Sequence, residues 1–354
     1  MEQVHVPTTV VGCAQAARMK REITVGGLCT IRAIQVKVCW VLVLGIVLWV
    51  TGVSAALAGE ADDGKVALPV DCRYESATQG SAAEGPDSAV GIPFPGGDVF
   101  RPLFADPKQP QTFASLQAAR NRDSKTSTTV GSVGFGENFG FYSRRNGCNG
   151  WQVGLLAGVF SQFDMNAPSA DLINADYVVG VPLSWRTGLF STRVRLYHQS
   201  THLGDEFVLH NPGVGRVNYS YEEAEAILSL DVPGGWGRLY AGGGYLVHRE
   251  PANLDRLKAQ AGVELRGPTW GSDHIERFVS GPLVVTPVLG ADFKSFEQLH
   301  WTLNVNVVGG LEFARAGALR RFRVLLNYYH GNNPYGQFYG QKVESLGLGI
   351  YLAF

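Results

Sequence analysis

The 354-residue chain lacks several features that mark common classes of protein. Its formal net charge is −1, and no block of like charge points to a nucleic-acid partner. Three methionines are few for a helical core, and the five cysteines include no C-x-x-C spacing of the kind that holds a metal. Glycine, by contrast, occurs 44 times, beside 13 tyrosines and 18 phenylalanines. Glycine and aromatic residues at short spacing are typical of twisted all-β structures.

Only one long apolar run is present, over residues 38–53, with Lys37 before it and the small-x-small pattern Ala56-Leu-Ala58 after it. This arrangement predicts a signal peptide that is cleaved after Ala58. A membrane-anchoring helix is the alternative, but the run is shorter than the ~20 residues that such a helix needs. We therefore expect residues 1–58 to be a signal peptide with a long leader. Because this leader is unusually long, we expect translation to start at Met19.

Cleavage would leave two cysteines, Cys72 and Cys148, which could form a disulfide in an oxidising compartment or remain free thiols. Residues 59–111 are rich in proline and glycine and have neither helical nor strand periodicity. We interpret them as a mostly extended periplasmic segment, which precedes a second region over residues 112–354.

From residue 130 onward, apolar and polar residues alternate in eleven segments, most of them ten or more residues long. Soluble β-sandwiches also alternate, but their strands average ~5–6 residues, whereas a strand that spans a bilayer takes ~9–11. Charges of both signs occur in the middle of the polar faces, which suits a wet lumen better than a packed core. With a weaker strand at 112–118, the pattern predicts an all-β fold: a transmembrane antiparallel β-barrel of about 12 strands in the bacterial outer membrane.

The chain ends on Phe354 after an alternating segment. This end resembles the C-terminal strand of bacterial outer-membrane barrels. The resemblance implies that the barrel-insertion machinery recognises the terminal aromatic residue.

The strand predicted at 189–202 carries polar residues on its apolar face. Side chains two apart on a strand point the same way, so His198, Ser200 and His202 share the outward face with Val194 and Leu196. If the following hairpin is symmetric about residue 209, Asn218 lies opposite Ser200, and Ser220 lies opposite His198.

This outward His198-x-Ser200 pair, with Asn218 on the next strand, resembles the active site of outer-membrane phospholipase A. The resemblance implies a twelve-stranded barrel that hydrolyses lipid esters with calcium and acts as a homodimer. Ser200 would be the nucleophile, His198 the base and Asn218 the group that orients the imidazole. Asp205 and Glu206, just beyond the strand, are the candidate ligands for the divalent cation, or could replace Asn218 as the orienting group.

A longer resemblance covers residues 92–354. Two segments carry it, Pro95-Gly-Gly-Asp-Val-Phe-Arg-Pro-Leu-Phe-Ala-Asp-Pro107 and Tyr197-His-Gln-Ser-Thr-His-Leu-Gly-Asp-Glu206. They are similar to recurrent motifs of an uncharacterised family of outer-membrane barrels, the domain of unknown function 1207. That family implies the location and the fold, and no established activity.

Two alternatives to a hydrolase that acts on outer-membrane lipids remain open at this stage. The polar residues could form only the interfacial rim of a structural barrel. The predicted lumen, which includes Arg193, Arg195, Glu223 and Glu225, could instead form a narrow channel, since twelve strands enclose less space than the 16–18 of open porins.

Overall fold

A computed structural model describes residues 89–272, 283–315 and 321–353. The predicted signal peptide, Cys72 and Phe354 lie outside the described residues. Cys148 is in a disulfide.

The molecule is a closed barrel of twelve antiparallel strands, which confirms the predicted fold class and strand number. Two short strands, β1 (Val90–Pro93) and β10 (Trp270–Ser272), pair with the barrel from outside the ring of twelve. The barrel strands are β2 (Thr112–Asn121), β3 (Ser127–Asn146), β4 (Asn149–Asp164), β5 (Asp171–Thr187), β6 (Phe190–Leu203), β7 (Ser220–Asp231), β8 (Gly237–Glu250), β9 (Leu257–Arg266), β11 (Leu283–Phe296), β12 (Asn304–Arg315), β13 (Arg321–Asn332) and β14 (Lys342–Ala353).

Each barrel strand pairs with its neighbours along the chain. The ring closes because β14 pairs with β2, through partners such as Leu348 and Leu116, and because β3 pairs with β4. Closure leaves no unpaired sheet edge, as a sheet within hydrocarbon requires.

The alternation along each strand puts apolar side chains outside and polar side chains inside. On β6, for example, Leu196 is 56% exposed on the outer face, whereas its neighbour Arg195 is 5% exposed in the lumen. A soluble barrel would have the opposite arrangement. The fold is therefore of the outer-membrane type.

The two ends of the barrel differ in the length of their connections. At one end, the short-turn end, the turns at 147–148 and 188–189 have only two residues, and Gly147 and Gly188 adopt positive φ there (57° and 55°). At the other, the long-loop end, the connections include 165–170, 204–219 and 333–341. In outer-membrane barrels the longer loops face outward from the cell.

The start of β12 departs from the alternation of the sequence. Leu299, Trp301 and Leu303 continue the apolar alternation and predict a strand from residue 299, but the strand begins at Asn304. Residues Glu297–Leu299 form a 3₁₀ turn, and His300 and Trp301 have left-handed backbone angles (φ 53° and 57°), which a strand cannot contain. The loop at this position is consequently longer than the sequence pattern suggested.

The lumen is filled by the segment that precedes β2. Residues 94–110, here called the plug, enter the barrel, and the buried members are Val99, Phe100, Leu103, Phe104, Ala105, Asp106, Gln109 and Pro110. The sequence pattern placed this segment in the periplasm, and for residues 99–110 that location needs correction. A proline-rich segment without a period can still pack its side chains when a surrounding wall offers partners.

The wall holds the plug by hydrogen bonds and ion pairs at several depths. Lys108 Nζ lies 2.6 Å from Asp176 of β5, and Arg193 of β6 donates to the Gln109 side chain at 3.0 Å. Asn306 of β12 donates to the carbonyl oxygen of residue 105 at 2.7 Å. Buried polar groups of the wall thus find partners on the plug, which offsets the cost of their burial.

The regular helix in the described ranges is short: α1, Asp205–His210, in the loop between β6 and β7. Across residues 89–272, 283–315 and 321–353, no helix combines the length and the apolar character needed to cross a membrane.

Candidate functional site

Three polar side chains meet on the outer surface of the barrel near the long-loop end. Nδ1 of His198 on β6 donates to Oε1 of Glu222 on β7 at 2.7 Å. Nδ1 of His248 on β8 donates to Oε2 of the same carboxylate at 2.8 Å. Glu222 therefore lies between two imidazoles, and each imidazole keeps its Nε2 for another contact.

The pairing of the strands explains the first of these contacts. His198 is directly opposite Glu222 in the β6–β7 ladder, and side chains at directly opposite positions lie ~4.5–5.5 Å apart at Cβ. Both side chains are partly exposed, 40% for His198 and 38% for Glu222. The pair is therefore accessible from outside the barrel.

A β-bulge accounts for the second contact. In the β7–β8 ladder Glu222 pairs with His248 but Glu223 pairs with Leu246, so Val247 is the extra residue. Without the bulge, His248 would follow the outward Val247 and point into the lumen. Because a bulge shifts the alternation by one residue, His248 instead reaches the outer surface beside Glu222.

Ser200 lies on the same outer face, two residues beyond His198. Its neighbours across the sheet are Tyr177 on β5 and Ser220 on β7. Residues two apart on a strand are ~6.6 Å apart at Cα, close enough for a hydroxyl and an imidazole to approach by side-chain rotation. Within the described part of the chain, no hydrogen bond joins Ser200 to His198. Catalytic contacts are often long before a substrate binds.

His202 continues this face towards the loop. Its ring packs edge-on against Tyr177, with 5.7 Å between ring centroids. The outward placement of His198, Ser200 and His202 on one strand agrees with the alternation in the sequence.

The predicted register of the hairpin is wrong by two residues. Ser200 pairs with Ser220, and His198 pairs with Glu222, so the hairpin is symmetric about residue 210. Asn218 precedes the first residue of β7 and pairs with neither. The partner of the His198 imidazole is thus Glu222, and Asn218 does not occupy that position. A shift of two residues keeps every side chain on its predicted face but changes its neighbour.

Asp205 and Glu206 lie in the first turn of α1, and both are exposed. In the ranges that the structure describes, no group of three or more histidine, cysteine, aspartate or glutamate residues is arranged to hold a metal ion. Calcium prefers six to eight oxygen ligands, so these two carboxylates alone would form an incomplete site.

Sequence reasoning missed the roles of Glu222 and His248. The outward face of Glu222 follows from the alternation along β7, but its contact with His198 depends on the register. The position of His248 depends on the bulge, for which the local sequence offers no signal beyond the glycines at 242–244.

A model of the family described as "Protein of unknown function (DUF1207)" matches residues 62–354. The chain belongs to this family. The match confirms the resemblance that the two sequence segments indicated.

Comparison with solved structures finds outer-membrane barrels. Outer membrane phospholipase A from Escherichia coli is 12% identical, with a TM-score of 0.44, and the match covers 68% of this chain and 89% of that one. The calcium-bound dimer of the Salmonella typhi phospholipase is also 12% identical (TM-score 0.45; 70% and 93% covered). The β domain of the Bordetella autotransporter BrkA is 16% identical (TM-score 0.35; 69% and 99% covered). A search of curated protein sequences found no match.

The lumen side of the same strands has a different organisation. Glu225 of β7 accepts contacts from Arg193 (3.1 Å) and Arg195 (2.7 Å) of β6 and from Lys258 of β9 (3.0 Å). Tyr197 donates to Glu223 at 2.6 Å. All of these side chains are buried, so they form a closed network with a structural role.

Proposed function

We propose that this protein is an ester hydrolase of the bacterial outer membrane that attacks lipids from the outer surface of the barrel. The observation that carries the proposal is the 2.7 Å hydrogen bond between His198 and Glu222 on the face that also holds Ser200. A hydroxyl, an imidazole and a carboxylate in that order are the components of a nucleophilic triad, which is recognised by geometry and not by sequence position.

Each residue has a defined part in the reaction. Ser200 Oγ bonds to the carbonyl carbon of the ester while its proton moves to Nε2 of His198. Glu222 holds Nδ1–H, which fixes the tautomer and stabilises the imidazolium that forms. The alcohol then leaves with the proton, and water activated by His198 releases the acyl group from Ser200.

The surroundings favour a lipid as the substrate. Leu196 and Val194 on β6 and Val179 on β5 are exposed on the same outer surface. In a barrel that spans the outer membrane, this surface contacts lipid, and the end of β6 near the long loops lies at the level of the headgroups. Ester carbonyls of membrane lipids lie at the same depth.

Calcium remains a proposal that rests on Asp205 and Glu206. Substrate phosphate or water oxygens would have to complete the coordination shell. The neutral donor that flanks Ser200 on β5 is the hydroxyl of Tyr177, which could stabilise the negative charge on the carbonyl oxygen. Activity that requires calcium would indicate that the cation stabilises this charge, and activity that persists with a chelator would indicate the hydroxyl. A homodimer is also proposed, and sedimentation in detergent tests it.

The test uses refolded full-length protein and mixed phospholipid micelles, with and without calcium. We expect ester cleavage that Ser200→Ala abolishes and that Ser220→Ala retains. Ser220 is the matched control because it is the directly opposed serine on the same face. Cleavage that survives Ser200→Ala, or a folded protein without activity on any lipid ester, would overturn the proposal and favour a structural rim.

The alternative function, a narrow channel, is tested by planar-bilayer conductance. Because the plug fills the lumen with buried side chains such as Phe100, Leu103 and Phe104, we expect no steady conductance. A stable open current from the intact protein would favour the channel.

A further inference from the structure

The plug fills the lumen unevenly. Against β6 and β7 the inward side chains, such as Arg193 and Glu225, are buried, whereas the inward side chains of β2, such as Phe113, Ser115 and Gln117, are only half-buried. The difference leaves a cavity of about 250 Å³ between the plug, the strands β2 and β14 and the loop at 333–341. This space lies inside the barrel, whereas the candidate hydrolase site lies on its outer surface.

Aromatic rings form the deep walls of the cavity. Phe113 of β2 and Tyr351 of β14 stack with their centroids 5.2 Å apart and their planes at 21°. Phe104 of the plug and Tyr329 of β13 add two further rings. Flat rings of this kind offer faces on which the C–H groups of a ligand can pack.

Side-chain amides and hydroxyls supply most of the polar lining. The amides are Gln111, Gln117, Asn121, Gln162, Asn306, Asn327, Asn333 and Gln341. The amide nitrogen of Asn327 donates to Asn306 at 3.1 Å, and that of Gln117 donates to Ser115 at 3.1 Å. In the described part of the chain, no side-chain hydrogen bond uses the amide oxygen of Asn327 or of Gln117. These oxygens can therefore accept hydrogen bonds from a ligand.

Charged groups contribute little to the lining. The carboxylate of Asp106 is paired with Lys294, and Asp164 accepts from Thr128. Arg120 is the cationic member of the lining. A lining of rings and amides with few charges suits a neutral polar ligand better than an ion or a hydrocarbon.

The entrance is at the long-loop end. Thr126, in the loop between β2 and β3, and Gln341, in the loop between β13 and β14, are exposed members of the lining, whereas Phe104 and Tyr351 are buried. Phe207 of α1 closes one side of the rim. The cavity therefore opens toward the side that longer loops occupy in outer-membrane barrels, which faces the outside of the cell.

We propose that this cavity binds a small neutral polyhydroxy compound, of the monosaccharide class. Its volume of about 250 Å³ lies just below the ~300–1,000 Å³ found for drug-sized ligands, which fits a single sugar ring. Rings such as Tyr351 would pack on the C–H face of the sugar, and amides such as Gln117 and Asn327 would bind its hydroxyl groups. This site is independent of the proposed hydrolase.

The experiment titrates the refolded full-length protein with D-glucose, D-galactose and D-mannose, followed by saturation-transfer NMR and calorimetry. Glucuronate, glucosamine and 1-hexanol serve as the charged and apolar competitors. We expect saturable binding of at least one neutral hexose in the millimolar range. Binding of a competitor in preference to every hexose, or no hexose binding, would overturn the proposal.

Variants locate the binding. Gln117→Leu keeps the size of the side chain and removes its hydrogen bonds, so we expect hexose affinity to fall roughly fivefold to tenfold. Tyr351→Ala should lower it further. The controls Leu116→Ala and Ile350→Ala alter the outward neighbours of these residues and should leave affinity unchanged.

Heat-modifiable migration in gels reports whether each variant has folded. If Tyr351→Ala does not fold, the hexose affinity of Gln117→Leu alone tests whether the sugar binds in this cavity. Hexose affinity that Gln117→Leu leaves unchanged would place any binding elsewhere and overturn the assignment.

Discussion

Two carboxylate contacts on the β6–β7 hairpin have the same length and opposite surroundings. In the lumen, Arg195 lies 2.7 Å from Glu225, and the two side chains are 4% and 0% exposed. On the outer surface, His198 lies 2.7 Å from Glu222, and the side chains are 40% and 38% exposed. The inner pair lies among further cations, whereas the outer pair is accessible from outside the barrel.

The comparison shows how one strand can serve two purposes. Alternation places the odd-numbered residues of β6 on the lumen side, where Arg193 and Arg195 join the buried ionic network, and the even-numbered residues on the outer surface. Breaking a contact on the inner face should therefore change stability, and breaking one on the outer face should change activity.

The largest expected effect is on the outer face. His198→Ala removes the proposed base, so we expect kcat/KM for lipid ester hydrolysis to fall by about 10³–10⁴-fold, with the barrel still folded. Leu196→Ala, the outward neighbour on the same strand, is the control. A loss of activity that is equal in both variants would indicate disturbed packing and contradict the assignment.

On the inner face, Glu225→Gln leaves three nearby cations, among them Arg193 and Lys258, without their shared charge partner. We expect a loss of about 3–5 kcal/mol in the free energy of unfolding, because breaking a buried ion pair leaves uncompensated charges. Urea unfolding of protein in lipid vesicles measures it. An unchanged free energy of unfolding would mean that water or polar groups of the plug compensate the charges of these cations.

The matching change outside is Glu222→Gln. Here we expect a fall of about 10²-fold in kcat, because the amide holds the imidazole less firmly. The free energy of unfolding should change by less than about 1 kcal/mol, since the pair is exposed. If Glu222→Gln destabilised the barrel as much as Glu225→Gln, the contrast between the two faces would be wrong.

The smallest expected effect is that of His248→Gln. This imidazole contacts Glu222 and not the nucleophile, so we expect activity to fall by about tenfold at most. The measurement compares the rate of lipid ester hydrolysis by His248→Gln with the rate of His198→Ala under the same conditions. An equal loss in both variants would mean that either imidazole can act as the base.

Much of this arrangement could be predicted because alternation is a property of the local sequence. The sequence Arg193-Val-Arg-Leu-Tyr-His198 predicts which side chains face outward, and twelve such segments predict a closed barrel. The neighbours across the sheet could not be predicted, since they depend on the hairpin register. The loop at 204–219 contains α1, and its conformation moved the register by two residues.

Other features depend on contacts between distant parts of the chain. The bulge at Val247 turns His248 outward, and only the pairing of β7 with β8 reveals it. The plug has no periodicity of its own and takes its shape from the wall around it. Alternation also gave a wrong prediction at Leu299–Leu303, where the left-handed residues His300 and Trp301 keep β12 from beginning before Asn304.

The central claim is that Ser200 is an activated nucleophile on the outer surface. The most direct measurement is covalent labelling of the folded protein with an alkyl fluorophosphonate in detergent micelles, followed by peptide mass spectrometry. We predict modification at Ser200 that is lost in His198→Ala and retained in Ser220→Ala. No labelling of the folded protein, or labelling that persists in Ser200→Ala, would contradict the claim.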